Sequence, residues 1–437
     1  MATELTNGAW QRFKERGLKA LLAPAALIIL YLFFGIFGRR FFSYVTLVNI
    51  IDASYYIGFI SIGVTFVIIT GGIDLSVGTV MMAAAIIGGT AYKTWGWPIV
   101  VSLLLIVVVG VLFGLFNGIM VSRVGMPPFI VTLGTMMISM GLGAIVSNVQ
   151  SATFPTRSAE DGWFKQIFKY VSEDGTSIPT GAIVLLAVVV ISFLILTKTK
   201  MGRYIYAIGS NKEAARLSGV NVKRWEMSAY VVAGTYAGIG GIAYAALYTT
   251  VLPAAGQGFE LLAIAGAVIG GTSLAGGVGT VFGTLIGVLI MSVLNVGLPA
   301  LDLQSQYQNF FTGVVVIGAV LLDMYRMRKA SEVRVLSPAD QYREDMKEKI
   351  GSLQSSLNDA KSSGQSEKIE ELKRQIDAAK LELKETYARK KREEKEEQAR
   401  LHREERESDR KIQEKIEQSQ QETQPRKEQP NRTGEEK

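Results

Sequence analysis

Cysteine is absent from all 437 residues, which excludes disulfides, thiolate metal sites and cysteine nucleophiles. Histidine occurs once, at His402 in a highly charged stretch, so imidazole ligation and imidazole acid–base chemistry are missing from the apolar bulk of the chain. No Gly-Lys-Ser or Gly-Lys-Thr occurs, so there is no phosphate-cradling P-loop, and any ATP-driven work must be powered by another chain. Charge is also scarce, but only in the first three quarters: residues 1–325 hold 18 basic and 13 acidic side chains, residues 326–437 hold 28 and 26.

What is present instead is long apolar runs. A bilayer is crossed by about 20 apolar residues, and runs of that kind predict ten spans, near 18–38, 54–70, 77–92, 97–121, 128–149, 181–197, 227–248, 259–274, 279–298 and 307–325. The second, third and eighth are short for a perpendicular crossing, as expected of broken or re-entrant helices. The expected class is therefore an all-α polytopic membrane protein with a cytoplasmic amino terminus (1–17), a transmembrane domain (18–325) and a charged tail (326–437). No short apolar region with a small-residue cleavage site precedes the first run, which is read as a retained signal anchor.

Lys and Arg set the orientation. The amino terminus carries Arg12, Lys14, Arg16 and Lys19; the connection 198–225 carries Lys198, Lys200, Arg203, Lys212, Arg216, Lys223 and Arg224 against Glu213; the last span ends in Arg326, Arg328 and Lys329. Ten spans put all three in the cytoplasm and the loop 150–180 outside. Arg39 and Arg40 fall on the wrong side of this scheme. In the outer loop Trp163, Phe164, Ile167, Phe168 and Val171 have helical spacing, which leaves two readings: a span-linking helix at the interface, or a landing surface for an external protein.

Two segments carry mechanism. Thr70-Gly71-Gly72-Ile73-Asp74-Leu75-Ser76-Val77-Gly78 places a carboxylate between two apolar runs, where insertion of the charge costs about 2.5–3.5 kcal/mol; such backbone breaks survive only against protein or a cavity. In the cytoplasmic connection, Ser210 or Asn211 can cap a short helix, Glu213 occupies its acid-favouring first turn and Gly219 stops it. Those residues describe a rigid protruding helix bracketed by Gly209 and Gly219.

Together with Pro128-Phe129-Ile130-Val131-Thr132-Leu133-Gly134 and Gly270-Gly271-Thr272-Ser273-Leu274-Ala275-Gly276-Gly277-Val278-Gly279-Thr280, these segments resemble the ribose/galactose/xylose class of ABC-importer permeases, from about the first span to Asp323. The resemblance implies a type II importer-like permease in a bacterial cytoplasmic membrane, both termini inside. It implies four kinds of partner: a cytosolic ABC ATPase that binds the ATP, an external sugar-binding protein, a second permease copy and the lipid bilayer. Nucleic acid has no place in it. By the same resemblance Gly209, Asn211, Glu213, Ala214, Ala215, Arg216 and Gly219 form the coupling helix that docks on the ATPase. No enzymatic activity, cofactor or metal is expected in this chain.

A sugar pathway needs amide, hydroxyl and aromatic partners, and the candidates are Asp74, Ser76, Asn117, Phe129, Thr132, Asn295, Tyr307 and Asn309. Polar side chains in spans also serve simply to join helices. The segment Gln257-Gly258-Phe259-Glu260 is a further candidate for the entrance. Gly71-Gly72, Leu75 and Val77-Gly78-Thr79-Val80 recur as Gly270-Gly271, Leu274 and Val278-Gly279-Thr280-Val281, an echo in which Ser273 stands for Asp74. In the tail, Ile369, Leu372, Ile376, Ala379 and Leu383 make an apolar stripe too short for a coiled coil, predicting a charged helix with disorder past Gln418. Three alternatives to a sugar permease remain at this level: a permease for nucleosides or other small polar solutes, an ion-coupled transporter working through Asp74, and a membrane tether for the tail.

Overall fold

The computed structural model describes residues 23–303, 305–331, 338–362 and 366–422. They are helical nearly throughout: α1 (Ala23–Phe37), α2 (Tyr44–Ile69), α3 (Val77–Lys93), α4 (Ile99–Ile119), α5 (Pro128–Val146), α6 (Trp163–Phe168), α7 (Gly181–Lys198), α8 (Lys200–Ser210), α9 (Lys212–Leu217), α10 (Val222–Leu247), α11 (Phe259–Ile269), α12 (Val281–Ala300), α13 (Ser305–Ser331), α14 (Pro338–Ser362) and α15 (Ser366–Glu422). Two two-residue pairings, Ala152–Thr153 with Thr250–Val251 and Tyr170–Val171 with Ser177–Ile178, are the strands among the described residues. Residues 1–329 and 330–437 form separate compact units.

Among the described residues of the first unit, six helices are long and apolar enough to cross a membrane: α2, α4 with the π-helical turn Met120–Val124 that continues it, α5, α7, α10 and α12. The shorter apolar helices α1, α3 and α11 join them, and α13 follows. Residues 18–22 of the first expected span lie outside the described residues. α3 and α11, at 17 and 11 residues, are short as expected. α2 is not: it has 26 residues and starts at Tyr44, where Ser43 Oγ accepts the Thr46 amide at 3.2 Å. Asn49 and Asp52 hid its first turns from hydropathy.

α2 is the axis of the bundle, with 94% of its apolar window buried. A helix apolar on every face belongs in an interior, and its glycines let neighbours close on it: Gly58 meets Leu185 of α7 and Gly63 meets the backbone of Ala233 on α10. Gly110 and Gly114 of α4 lie against Gly234 of α10 in the same way. Small-residue contact of this kind drives helix association where lipid offers no hydrophobic contrast. Thr65 Oγ1 and Thr284 Oγ1, 2.8 Å apart, tie α2 to α12.

The two ends of the bundle differ. At the loop end, residues 150–180 fold over the helix tips: Phe164 and Phe168 of α6 are buried against Phe154, Tyr55 and Phe59, while Trp163 and Ile167 stay exposed. The expected stripe thus divides, two aromatics packing inward one turn apart, and α6 caps the bundle. Here Arg39, unexplained by sequence, donates its backbone amide to Ala300 O and pairs with Asp302 at 3.0 Å. The opposite, break end holds residues 70–76 and 270–280 with α8 and α9.

In the second unit α14 packs against α15 through Met346, Ile350, Ile376 and Ala379, with Leu383 beside them. The apolar stripe expected to run out alone is one side of this helix pair. α15 continues to Glu422, past Gln418; residues 423–437 lie outside the described residues.

Candidate functional site

Residues 70–76 leave α2 through Gly71, whose φ of 82° only glycine adopts without strain. Asp74 then folds back on its own chain: Oδ1 accepts the Ser76 amide at 2.9 Å and the Ser76 hydroxyl at 2.6 Å. Ser76 Oγ in turn accepts Asn117 Nδ2 of α4 at 2.9 Å, and Asn117 Oδ1 accepts Thr135 Oγ1 of α5 at 2.6 Å. Alongside, Ser139 Oγ donates to Thr79 Oγ1 at 2.8 Å, and Thr132 Oγ1 donates to Pro128 O at 2.9 Å and meets Ile73 O at 3.5 Å. Asp74, Ser76, Asn117 and Thr132 are therefore brought together, all buried.

The space bounded by Asp74, Ser76, Asn117, Gly114 and Gly234 encloses no volume that water can enter. The carboxyl oxygen serves as the acceptor that shapes a break between α2 and α3, and leaving a buried donor there without its partner costs about 1–3 kcal/mol. Thr135, Thr79 and Ser139 complete the cluster; the signal for two of them was the recurrence of small or polar residues at 132, 135, 139 and 143 on the buried side of α5. Tyr230 of α10 is a residue that periodicity gave no reason to choose, and its hydroxyl closes over Gly72.

The other candidates lie apart. Phe129 and Tyr307 are exposed on the surface of the single chain. Asn309 falls within α13, its side chain outside the described residues. Asn295 is half-buried on α12 at the loop end, beside Asp52 in a cavity of about 600 Å³. Glu260 is buried in the first turn of α11, where Oε1 accepts the Gly258 amide at 2.9 Å; it lies against Gly78 at the start of α3.

The second break reproduces the first in form. Ser273 Oγ accepts the Ala275 amide, two residues on, at 3.4 Å, as Asp74 Oδ1 accepts that of Ser76. The breaks also touch: the Gly277 amide donates to Ile69 O at 2.9 Å. Into this contact runs the tip of α8. A Cβ on Gly209 would collide with Ile69 O and the Gly277 amide, and one on Gly276 would stand 2.9 Å from both Gly209 O and the Gly71 nitrogen. Tyr206 of α8 donates to Gly279 O at 2.7 Å.

From that junction Asn211 turns the chain into α9, its Oδ1 accepting the Ala214 amide at 2.9 Å; Asn211 rather than Ser210 is the cap. Ala215 packs with Ile208 and Val222, Lys212 reaches the buried Glu226 of α10 at 2.8 Å, and Gly219 stops the helix at φ 81°. The outer face shows Glu213, Ala214, Arg216 and Leu217, the last 84% exposed. α9 is a rigid knob with an apolar tip, joined through one residue to a helix that seats on both breaks.

Comparison with known proteins gives this arrangement a context. Residues 46–320 match the family described as branched-chain amino acid transport system / permease component. The chain is 36% identical over 325 residues to a ribose import permease of Bacillus subtilis, covering 74% of this chain and 98% of that one. It is 35% identical over 316 residues to a fructose import permease of Rhizobium meliloti, covering 71% and 88%. A D-allose transport system permease of Escherichia coli is 35% identical over 264 residues, 60% of this chain and 78% of its own. No solved structure matches.

Proposed function

We propose, on the premise that this chain belongs to the branched-chain amino acid transport system / permease component family, that it is the membrane subunit of an ATP-driven importer of a monosaccharide. As a member of that family it is a multi-pass transport component and not an enzyme. The cargo follows from its full-length relatives, which carry ribose, fructose or allose in their names and are matched over 78–98% of their length; that breadth of likeness outweighs the cargo in the family description.

The observation that carries the mechanism is the junction of Gly71, Gly209, Gly276 and Gly277, where the coupling segment meets both helix breaks. A cytosolic ATPase, binding and hydrolysing the ATP, pushes on α9. The push passes along α8, without a flexible linker, to the ends of α2 and α11 and the starts of α3 and α12. Packed elements of this kind move between discrete arrangements and do not deform continuously. A second permease copy and an external sugar-binding protein complete the assembly, in the inner membrane of a bacterium with both termini in the cytoplasm.

The test is uptake of radiolabelled D-ribose, D-fructose and D-allose by cells expressing the chain with its neighbouring ATPase and binding protein. Uptake that stops when ATP is depleted and survives a protonophore supports the reading; the reverse pattern identifies an ion-coupled carrier and overturns it.

A further inference from the structure

The break end carries cations that the coupling segment leaves without counter-charge. The two acids of residues 198–226, Glu213 and Glu226, are taken by Arg216 at 2.9 Å and Lys212 at 2.8 Å. Lys198, Lys200, Arg203, Lys223 and Arg224 stay exposed around them. α4 reaches this end beside the start of α10, Gly118 lying against Met227, and adds the exposed Arg123. Among the described residues no carboxylate lies within ion-pair distance of any of the six. A surface of one sign attracts an anion.

Position indicates which anion. On α7 the exposed Leu186, Val190 and Leu194 form a ridge at a spacing of four, and Lys198 is the next residue on it. On α4 Leu104, Val108, Leu112 and Phe116 form a second exposed ridge, with Arg123 beyond its end. A cation that closes an apolar ridge stands where hydrocarbon gives way to headgroups. α8 leaves α7 at that depth through the single extended residue Thr199, and Gly202, Ile205 and Ile208 face protein while Lys200 and Arg203 face out. Tyr204 and Trp225 join α8 to α10 with ring centres 5.3 Å apart, and the Arg224 guanidinium lies 5.4 Å from the Trp225 ring centre. Arg203 adjoins Tyr204 in the chain, so two guanidinium groups accompany two interfacial rings. Guanidinium forks match phosphate oxygens in pairs. A free anion needs only the forks; the rings and the ridges fit a phosphate that carries acyl chains.

We propose that Arg203 and Arg224, beside Tyr204 and Trp225, bind the headgroup phosphate of an anionic phospholipid, with Lys200 and Lys223 adding charge around it. Arg203 belongs to α8, the helix whose tip meets both breaks, so the bound lipid braces the element that relays the motion. The lipid site requires only a membrane-embedded chain and is independent of the cargo; the bracing of α8 rests on the coupling role proposed above.

The test titrates the detergent-solubilised full chain with phosphatidylglycerol or phosphatidylcholine and counts bound lipid by native mass spectrometry. Phosphatidylglycerol is expected to bind more tightly than phosphatidylcholine. Arg203→Gln and Arg224→Gln, both at exposed positions, are each expected to weaken its binding about fivefold, and the two together about 25-fold. The paired control Arg40→Gln with Lys93→Gln removes two exposed cations at the loop end, where Tyr92 meets Asp161, and is expected to bind as the parent does. With the ATPase and binding protein in vesicles of phosphatidylcholine and phosphatidylglycerol in equal parts, more sugar is expected to enter per ATP than in phosphatidylcholine alone. The Arg203→Gln, Arg224→Gln pair is expected to remove that difference.

Equal affinity for the two lipids overturns the site, and so does a loss in the control pair as large as that in the arginine pair, which would make the attraction diffuse. Displacement of the lipid by inorganic phosphate assigns the patch to a soluble anion and overturns the lipid. Unchanged lipid binding with loss of ATPase co-purification assigns it to the protein partner and overturns the lipid as well. Equal uptake per ATP in the two kinds of vesicle overturns the bracing of α8. Absence of sugar uptake in every vesicle overturns the proposed function while the binding titration still decides the lipid site.

Discussion

Asp74 shows how one residue can stand out in the sequence while its contacts do not. A carboxylate among glycines in an apolar region is visible without coordinates; that both its short hydrogen bonds go to Ser76 is not. An amide oxygen accepts the same two donors, so Asp74→Asn is expected to insert and transport close to normally. Asp74→Ala loses the acceptor and should lower stability by about 1.5–3 kcal/mol and abolish uptake, read by thermal unfolding in detergent and by sugar accumulation. A proton-coupled carrier would lose uptake with both. Lys165, on the 150–180 loop, gives a pH test. It is buried with its ammonium 2.8 Å from Thr249 Oγ1, and burial, with Arg157 as a second cation, pushes its pKa down to about 8 from 10.5. Below about pH 8 the lysine is charged in folded and unfolded loop alike and the burial penalty is complete. Between about 8 and 10.5 the folded loop releases the proton while the unfolded one keeps it, so loop stability rises with pH. Limited proteolysis of the 150–180 loop should slow across that window, and Lys165→Met should flatten the dependence.

Among the elements, α8 and α9 form the unit on which the proposed mechanism turns. Their capping and stop residues are local, and the sequence placed Glu213 to Gly219 as a helix because Asn211 and Gly219 act within a few residues of themselves. That Gly209 sits against Ile69 and Gly277 depends on chain segments far away, and no local rule contains it. Gly209→Val is expected to leave the ATPase bound, since α9 is untouched, yet to uncouple hydrolysis from uptake and destabilise the protein by about 1–3 kcal/mol or more. Leu217→Asp, at the exposed tip, is expected to do the opposite: normal folding and loss of ATPase co-purification. A Leu217→Asp protein that retains its ATPase would detach α9 from the coupling role. α2 is the converse lesson, because its start was misplaced by ten residues when Asn49 and Asp52 were read as a boundary. A helix tolerates such groups near its end when a loop returns to meet them, as Lys169 does.

On the scale of the whole molecule, the family match ends at residue 320 and the first compact unit at Lys329. Truncation after Ser331 leaves every helix of that unit whole, so insertion and uptake should stay within about twofold of the full chain; a larger loss would make the α14–α15 pair part of the transport cycle. The multi-pass helical class and the positions of the two glycine breaks were determined by the sequence alone, because bilayer thickness and backbone hydrogen bonding act on each segment by itself. Only the tertiary structure decided that the breaks touch each other through α8, that the Asp74 cluster is sealed and that Lys169 returns from the loop to Asp52 at the other end. Those depend on which distant segments come within hydrogen-bonding distance, and packing of the assembled bundle alone sets that.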